Sequence, residues 1–393
     1  MRIALVANFV APASGGIRTV LRALADGYAR HGHEVVLVVP GARDGRRRQP
    51  WGLLVTLAAP RVPGTGYRVL VRPRRVARVL EELRPDRLEV HDRSTLRALG
   101  PWARRAGVPS LVVSHERLDR LAGQWLPGPA GRPAGAALAD ASNAALAAGF
   151  DAVVCTTRWA AAEFERLGVQ VRRVPLGVDL RTFTPAAGTG GGPVARLVVA
   201  SRLSREKHVE LAVDAVAHLR ASGRPVRLLV AGDGPARHRL QRRARGLPVR
   251  FAGFLPDRAA LAAQLAAADV AIAPGPVETF GLAALEALAC GTPVVAHADS
   301  AVGEVLGAGA GTTAPGTGAG FAHAVEAVLG GAADGVRARA RAERFSWERT
   351  VEGFLAVHGA EVRGAEVRGA EVHGAARGPA VPQGRSGAGA GGR

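Results

Sequence analysis

Short apolar runs and longer amphipathic stretches alternate along this chain. Arg2-Ile-Ala-Leu-Val-Ala7 is an apolar run of strand length. Ile17, Val20, Leu21 and Leu24 then recur at i, i+3, i+4 and i+7, the spacing of one helix face. Further strands are predicted at residues 34–39, 88–92, 111–115, 151–156 and 171–174. The connections between them are mostly long enough for crossover helices, which predicts a parallel sheet. Residues 185–195, rich in Gly, Pro, Ala and Thr, read as a linker. The alternation restarts with strands at 197–200, 226–231, 249–251, 270–273 and 294–296. The pattern therefore predicts an α/β protein of two doubly wound, Rossmann-like domains, residues 1–184 and 196–345. Ser346 is the expected N-cap of a last helix over 346–358. In residues 359–393 a Gly-Ala-Glu-Val-Arg repeat gives way to Gly and Ala. Its five-residue period fits neither helix nor strand, and a disordered tail is expected.

Length and composition agree with two cores, since 393 residues at 48% apolar content exceed one ordinary domain. Cys155 and Cys290 both lie in apolar contexts and no other cysteine occurs. A disulfide framework is therefore not expected, and a reducing cytoplasmic location is. No apolar run reaches the ~18 residues of a membrane span, and no signal-like segment precedes the strand that begins at Arg2. The formal net charge of +19 suits nucleic acid, an anionic membrane surface or an anionic substrate. Aromatic content of 4% and the lack of a recognition motif argue against nucleic acid. Arg43-Asp-Gly-Arg-Arg-Arg48 with Trp51, and the stretch from Tyr67 to Arg78, mix arginines with apolar residues. They suit either an anionic membrane, with Trp or Leu pressed in below the arginines, or an ordinary solvated basic face.

The densest candidate chemistry lies between Pro274 and Pro293. A buried strand over 269–274 meets a Gly-containing turn, then a helix of Leu and Ala that Gly291-Thr-Pro293 stops. In open α/β sheets ligands bind at such carboxyl strand ends, and the bare N–H groups of a helix N-terminus attract phosphate. Glu278 falls in the turn and Glu286 in the second helical turn. That spacing brings Glu286 within ~80° of the same azimuth and up to ~12 Å along the axis, so the two carboxylates suit the two ends of an extended ligand. Apolar neighbours bracket Glu286, and a charge so placed is seldom buried without a partner. Gly15-Gly16, at the first strand-to-helix turn, lets backbone N–H groups approach a phosphate, or is an ordinary βα turn. Arg202 and Lys207, the single lysine among 52 basic residues, stand where the 197–200 strand ends, the right place to neutralise a diphosphate. His91 and His115 end two strands of the first sheet and would both face a cleft; His115, among polar neighbours, is the favoured functional one.

Glu278-x7-Glu286, Val174-Pro-Leu-Gly-Val-Asp179 with Phe183-x-Pro185, the Arg202…Lys207 pair and Gly15-Gly16 together resemble the retaining glycosyltransferases of family 4. The resemblance covers residues 1 to about 358 and implies the GT-B fold, two facing Rossmann-like domains. More narrowly, His91-Asp-Arg-Ser-Thr-Leu, Ser114-His-Glu-Arg-Leu-Asp119 and the Gly275–Glu286 stretch are similar to actinobacterial phosphatidylinositol dimannoside mannosyltransferases. That likeness implies GDP-mannose as donor, an α-1,6 linkage, a glycolipid acceptor and a peripheral place on the inner membrane face; the alternative within the family is a UDP-sugar donor with a soluble or secondary-metabolite acceptor. It implies that Glu278 supports the transferred sugar and Glu286 binds the ribose. Arg202 and Lys207 would hold the diphosphate, helped by N–H groups near Phe280, Gly281 and Leu282, and His115 would lie near both sugars. No Asp-x-Asp occurs, in keeping with the metal-independent chemistry of the fold, so no metal or other cofactor is expected. The chain departs from the narrower pattern at Val277, where a histidine is common, at His297-Ala-Asp299, and in its repetitive tail.

Overall fold

The structure is a computed structural model, and residues 1–10, 16–63, 65–125, 131–186 and 192–359 are described. Gly15, residues 187–191 of the predicted linker and the tail from 360 lie outside them.

Two sheets carry the fold. The first contains β1 (Arg2–Ala7), β2 (Glu34–Gly41), β3 (Gly45–Gln49), β4 (Gly52–Ala58), β5 (Arg87–His91), β6 (Ser110–Ser114), β7 (Ala152–Cys155) and β8 (Val171–Arg173). Its order is β3-β4-β2-β1-β5-β6-β7-β8. The second contains β9 (Ala195–Ala200), β10 (Val226–Ala231), β11 (Val249–Gly253), β12 (Val270–Ala273), β13 (Val294–His297) and β14 (Gly311–Ala314), ordered β11-β10-β9-β12-β13-β14. The order reverses at β1, which lies between β2 and β5, and at β9, which lies between β10 and β12. Such switch points open the crevice in which doubly wound sheets bind ligands. Ile3 through Ala7 are fully buried, as expected of a central parallel strand covered on both faces. The helix Gly16–Arg30 turns Val20, Leu21, Leu24 and Tyr28 onto that sheet.

One edge departs from expectation. The basic segment at 43–48 is neither loop nor helix face, because β3 pairs antiparallel with β4, Gly45 opposite Thr56 and Gln49 opposite Gly52. The first sheet is therefore mixed rather than purely parallel. Trp51, in the tight connection between these strands, turns inward and joins the core at 9% exposure, so it is not free to press into a membrane. The helix Pro73–Leu83 likewise buries Val76, Val79 and Leu80 and leaves Arg74 and Arg78 outside.

The helix Trp347–Val357 returns to the first domain. Ser346 Oγ accepts the N–H of Arg349 at 3.2 Å and caps it. Thr350 Oγ1 donates to the Pro175 carbonyl at 2.9 Å, and Val178 bridges Ser346. A methyl group added at Gly27 would stand 2.2 Å from Val351 Cγ2, so glycine there permits the close crossing of this helix over Gly16–Arg30.

Candidate active site between the two sheets

Residues that follow the carboxyl ends of strands in both sheets meet at one place. On the second-sheet side, β12 runs into the turn 274–281. Gly281 takes φ +84°, and an added Cβ would stand 2.7 Å from Val302 Cγ2, so only glycine fits at the start of the helix Leu282–Ala289. Glu278 Oε1 lies 2.5 Å from Lys207 Nζ, both side chains about one quarter exposed. Burial opposes the charge on Lys207, but the Glu278 carboxylate and its bond outweigh that and raise its pKa above the ordinary lysine value. Glu286 projects from the helix, buried, and accepts from Arg258 Nη2 at 2.9 Å. Burial raises the Glu286 pKa and Arg258 opposes the rise. Phe280 turns its ring into the core against Phe345, which leaves only its backbone for the cleft. Arg202 stacks on the Tyr67 ring at 4.4 Å and donates to the Thr65 carbonyl at 2.5 Å, tying the β9 loop to the first domain.

On the first-sheet side, Gly16 opens its helix opposite Leu282, since a Cβ there would lie 3.7 Å from Leu282 Cδ1. His115 follows β6 and is half-buried. Its Nε2 lies 2.7 Å from His91 Nδ1, with the rings stacked 5.1 Å apart. The two histidines at matching strand ends are thus one unit. Burial, and then the neighbouring His91, push the His115 pKa down to about 3, so its ring is neutral at ordinary pH. The loop that carries it is fixed from behind. Arg93 Nη1 donates to Ser114 Oγ at 3.0 Å, to the Glu116 carbonyl at 2.7 Å and to Glu163 at 2.5 Å. Arg117 pairs with Asp119 at 2.9 Å.

Thr279, next to Glu278, joins the two sides. Its hydroxyl donates to the His115 carbonyl at 2.7 Å, and its own carbonyl accepts from Thr157 at 2.9 Å and Thr156 at 3.2 Å. Glu304 also crosses, accepting the Arg158 and Trp159 N–H groups at 3.0 and 2.6 Å. It satisfies the donors and complements the dipole at the start of the helix Arg158–Glu165.

The geometry brings together Lys207 with Glu278, Gly16 with Leu282, and Thr279 with His115. It places Glu286 against Arg258 and Arg202 against Tyr67. Reading the sequence missed Arg258, Thr279, Tyr67, Glu89 and His358. Thr279 lay inside the motif, and Glu89 is the one acid of β5, between Leu88 and Val90; Arg258 and His358 carry no local signal. An open groove of about 590 Å³ beside Arg196, Arg227 and Arg250, across β9–β11, holds none of the candidate residues. Among the described residues no three His, Cys, Asp or Glu side chains gather to hold a metal ion, and no helix is long and apolar enough to cross a membrane.

Family profiles described as "Glycosyl transferases group 1" and "Glycosyl transferase 4-like domain" match residues 195–330 and 15–179. The GDP-mannose-dependent alpha-(1-6)-phosphatidylinositol dimannoside mannosyltransferase of Mycobacterium tuberculosis is 49% identical over 92% of this chain and 96% of its own length. A GDP-mannose-dependent alpha-mannosyltransferase of Mycolicibacterium smegmatis is 32% identical over 75% of this chain and 79% of its own. Among solved structures, sucrose-phosphate synthase from Thermosynechococcus elongatus superposes with a TM-score of 0.76 at 22% identity, over 91% of this chain and 98% of that one. The fold is therefore GT-B. Two sheets facing across a cleft, profiles spanning both halves and near-half identity over most of the length make this chain a member of the group 1, family 4-like glycosyltransferases.

Proposed function

We propose that the chain is a retaining mannosyltransferase that moves mannose from GDP-mannose to a phosphatidylinositol mannoside, forming an α-1,6 bond. The observation that carries this reading is the 49% identity, over 92% of the chain, with a relative named for that transfer. Glu278 supports the developing positive charge of the sugar as the bond to phosphate lengthens. Lys207 and Arg202, with the N–H groups at Gly281 and Leu282 and those of Gly15-Gly16, receive the charge left on the diphosphate. Glu286 holds the ribose hydroxyls, with Arg258 fixing its carboxylate. His115 accepts from a sugar hydroxyl. The reading assigns no step to a metal or cofactor, and its second partner is an anionic membrane surface on the cytoplasmic side. The net charge of +19 and the exposed Arg47 and Arg48 on β3 support that partner.

The test is transfer of radiolabel from GDP-mannose by the purified chain to phosphatidylinositol mannosides in anionic vesicles, with linkage analysis of the product. Labelled α-1,6-mannosyl glycolipid is expected. Label taken from UDP-glucose but not from GDP-mannose, with no glycolipid product, would sink the reading.

A further inference from the structure

Behind His115 the fold buries a chain of titratable groups that sugar transfer leaves unexplained. Glu89 and His91 stand two apart on β5 and so share a face of the strand. Tyr28 comes from the helix Gly16–Arg30, and His358 directly follows the helix Trp347–Val357. Glu89 and Tyr28 are fully buried, and His91 and His358 nearly so. Glu89 Oε1 lies 2.5 Å from His91 Nε2; Oε2 accepts from Tyr28 at 2.7 Å and lies 2.9 Å from His358 Nε2. His358 is held in turn by its own carbonyl, which accepts from Arg87 at 2.9 Å. No arginine or lysine bonds to Glu89 among the described residues. Burying a carboxylate without a cation carries a desolvation cost, and packing alone would be served by an apolar residue here.

The hydrogen-bond roles follow from the carboxylate. Burial opposes ionisation of Glu89, but the bonds from His358 and His91 prevail and hold its pKa at about 2. An ionised carboxylate only accepts, so Tyr28, His91 Nε2 and His358 Nε2 all donate. With one proton on the His91 ring, that proton is on Nε2 and Nδ1 is an acceptor. His115 Nε2 must then carry the proton of the 2.7 Å bond between the rings. Its Nδ1 is left unprotonated, and that nitrogen has no partner among the described residues.

We infer that Glu89, His91, Tyr28 and His358 are positioning residues that fix the ring and tautomer of His115, so that its Nδ1 accepts from a hydroxyl of the bound sugar. The helix Trp347–Val357, through His358 at its end, thereby becomes part of the support of the active site. The inference rests on the reading of His115 as a sugar-facing residue.

The experiment uses the full chain labelled with 15N-histidine, read by long-range proton–nitrogen spectra and by kinetics of transfer from GDP-mannose. The wild-type protein should show His115 neutral with the proton on Nε2. Glu89→Gln should redistribute the ring protons of His91 and His115 and lower kcat at least about tenfold. Donor KM should stay within about twofold, which separates lost positioning from lost donor binding. Tyr28→Phe keeps the ring, removes one bond to Glu89, and should move both readouts the same way by less; it carries the test should Glu89→Gln not fold. His115 found with its proton on Nδ1, or Tyr28→Phe and Glu89→Gln leaving nitrogen shifts and kcat unchanged, overturns the inference. His115→Ala keeps the two readings apart. Full activity in that variant removes the sugar-facing role itself, whereas lost activity with unmoved shifts in Glu89→Gln removes the relay alone.

Discussion

The two walls of the cleft solve the same electrostatic problem in opposite ways. The wall built on the second sheet keeps its charges in pairs whose cations stay partly exposed, Lys207 with Glu278 at 2.5 Å and Arg258 with the buried Glu286 at 2.9 Å. A cation so placed can be shared with an incoming phosphate without being drawn from a dry interior, where separation would cost more. The wall built on the first sheet presents a neutral imidazole and hides its charges behind it, at Glu89, Arg93 and Glu163. Each of these is fixed by several bonds, and none can exchange partners without unpicking the core. One wall is arranged to respond to charge and the other to hold a shape.

The largest expected effect tests the responsive wall. Glu278→Ala should lower kcat by roughly 10²–10³, the scale for losing one preorganised group at a developing charge. Donor KM should rise far less if, as proposed, the contact strengthens in the transition state. Equal effects on KM and kcat would dissolve the distinction between this carboxylate and its neighbour. Glu286→Ala should do the reverse, raising donor KM by roughly 10–100-fold through loss of charge-assisted bonds worth about 1.5–3 kcal/mol. Calorimetry of GDP binding checks it, and the same change made beside Arg258→Ala shows how much of the loss is the ion pair alone.

The walls also differed in how far they could be read from the sequence. Local pattern exposed the responsive one, since Glu278, Gly281 and Glu286 belong to a single strand–turn–helix unit with its own start and stop signals. The β9 loop announced itself by a lone lysine in an arginine-rich chain. The shape-holding wall is assembled from distant segments. His91 and His115 were visible as strand ends, but their union depends on β5 and β6 being neighbours in register, Leu88 beside Ser110. Tyr28 and His358 reach Glu89 only because Gly27 lets two helices cross closely, which no periodicity reports. The β3–β4 hairpin escaped notice because four of its five β3 residues are exposed and polar or Gly, without an apolar alternation to mark a strand.

Acid should damage the shape-holding wall first. The folded pKa of His115 is depressed to about 3, against roughly 6.5 for the unfolded chain. Between those values the unfolded state binds a proton that the native state refuses, so stability is intact above about pH 6.5 and falls as pH drops toward about 3. Glu89, depressed to about 2 from its ordinary 4.5, adds a second loss that begins below about pH 4.5. One refused proton has a slope of at most about 1.4 kcal/mol per pH unit. Tm followed from pH 7 to pH 5 should therefore fall less in His115→Phe than in the wild type. An unchanged slope would mean that His115 is already free to protonate in the folded chain.

The smallest expected effect lies where the walls touch. Thr279 follows Glu278 in the chain, yet its hydroxyl donates to the carbonyl of His115, and its own carbonyl takes both threonines at the end of β7. Thr279→Val keeps the shape and removes only the first of these bonds, a net loss of about 1 kcal/mol in stability. If the walls act independently, kcat for transfer should not notice. The bond, however, sets where the loop of the imidazole stands relative to the Glu278 carboxylate, and an effect of roughly fivefold on kcat is the kinetic counterpart of that 1 kcal/mol. Glu278→Ala combined with Thr279→Val decides between the two. Once the carboxylate is gone, a bond that serves only to align it with His115 has nothing left to align, and the second change should then cost less than it does alone.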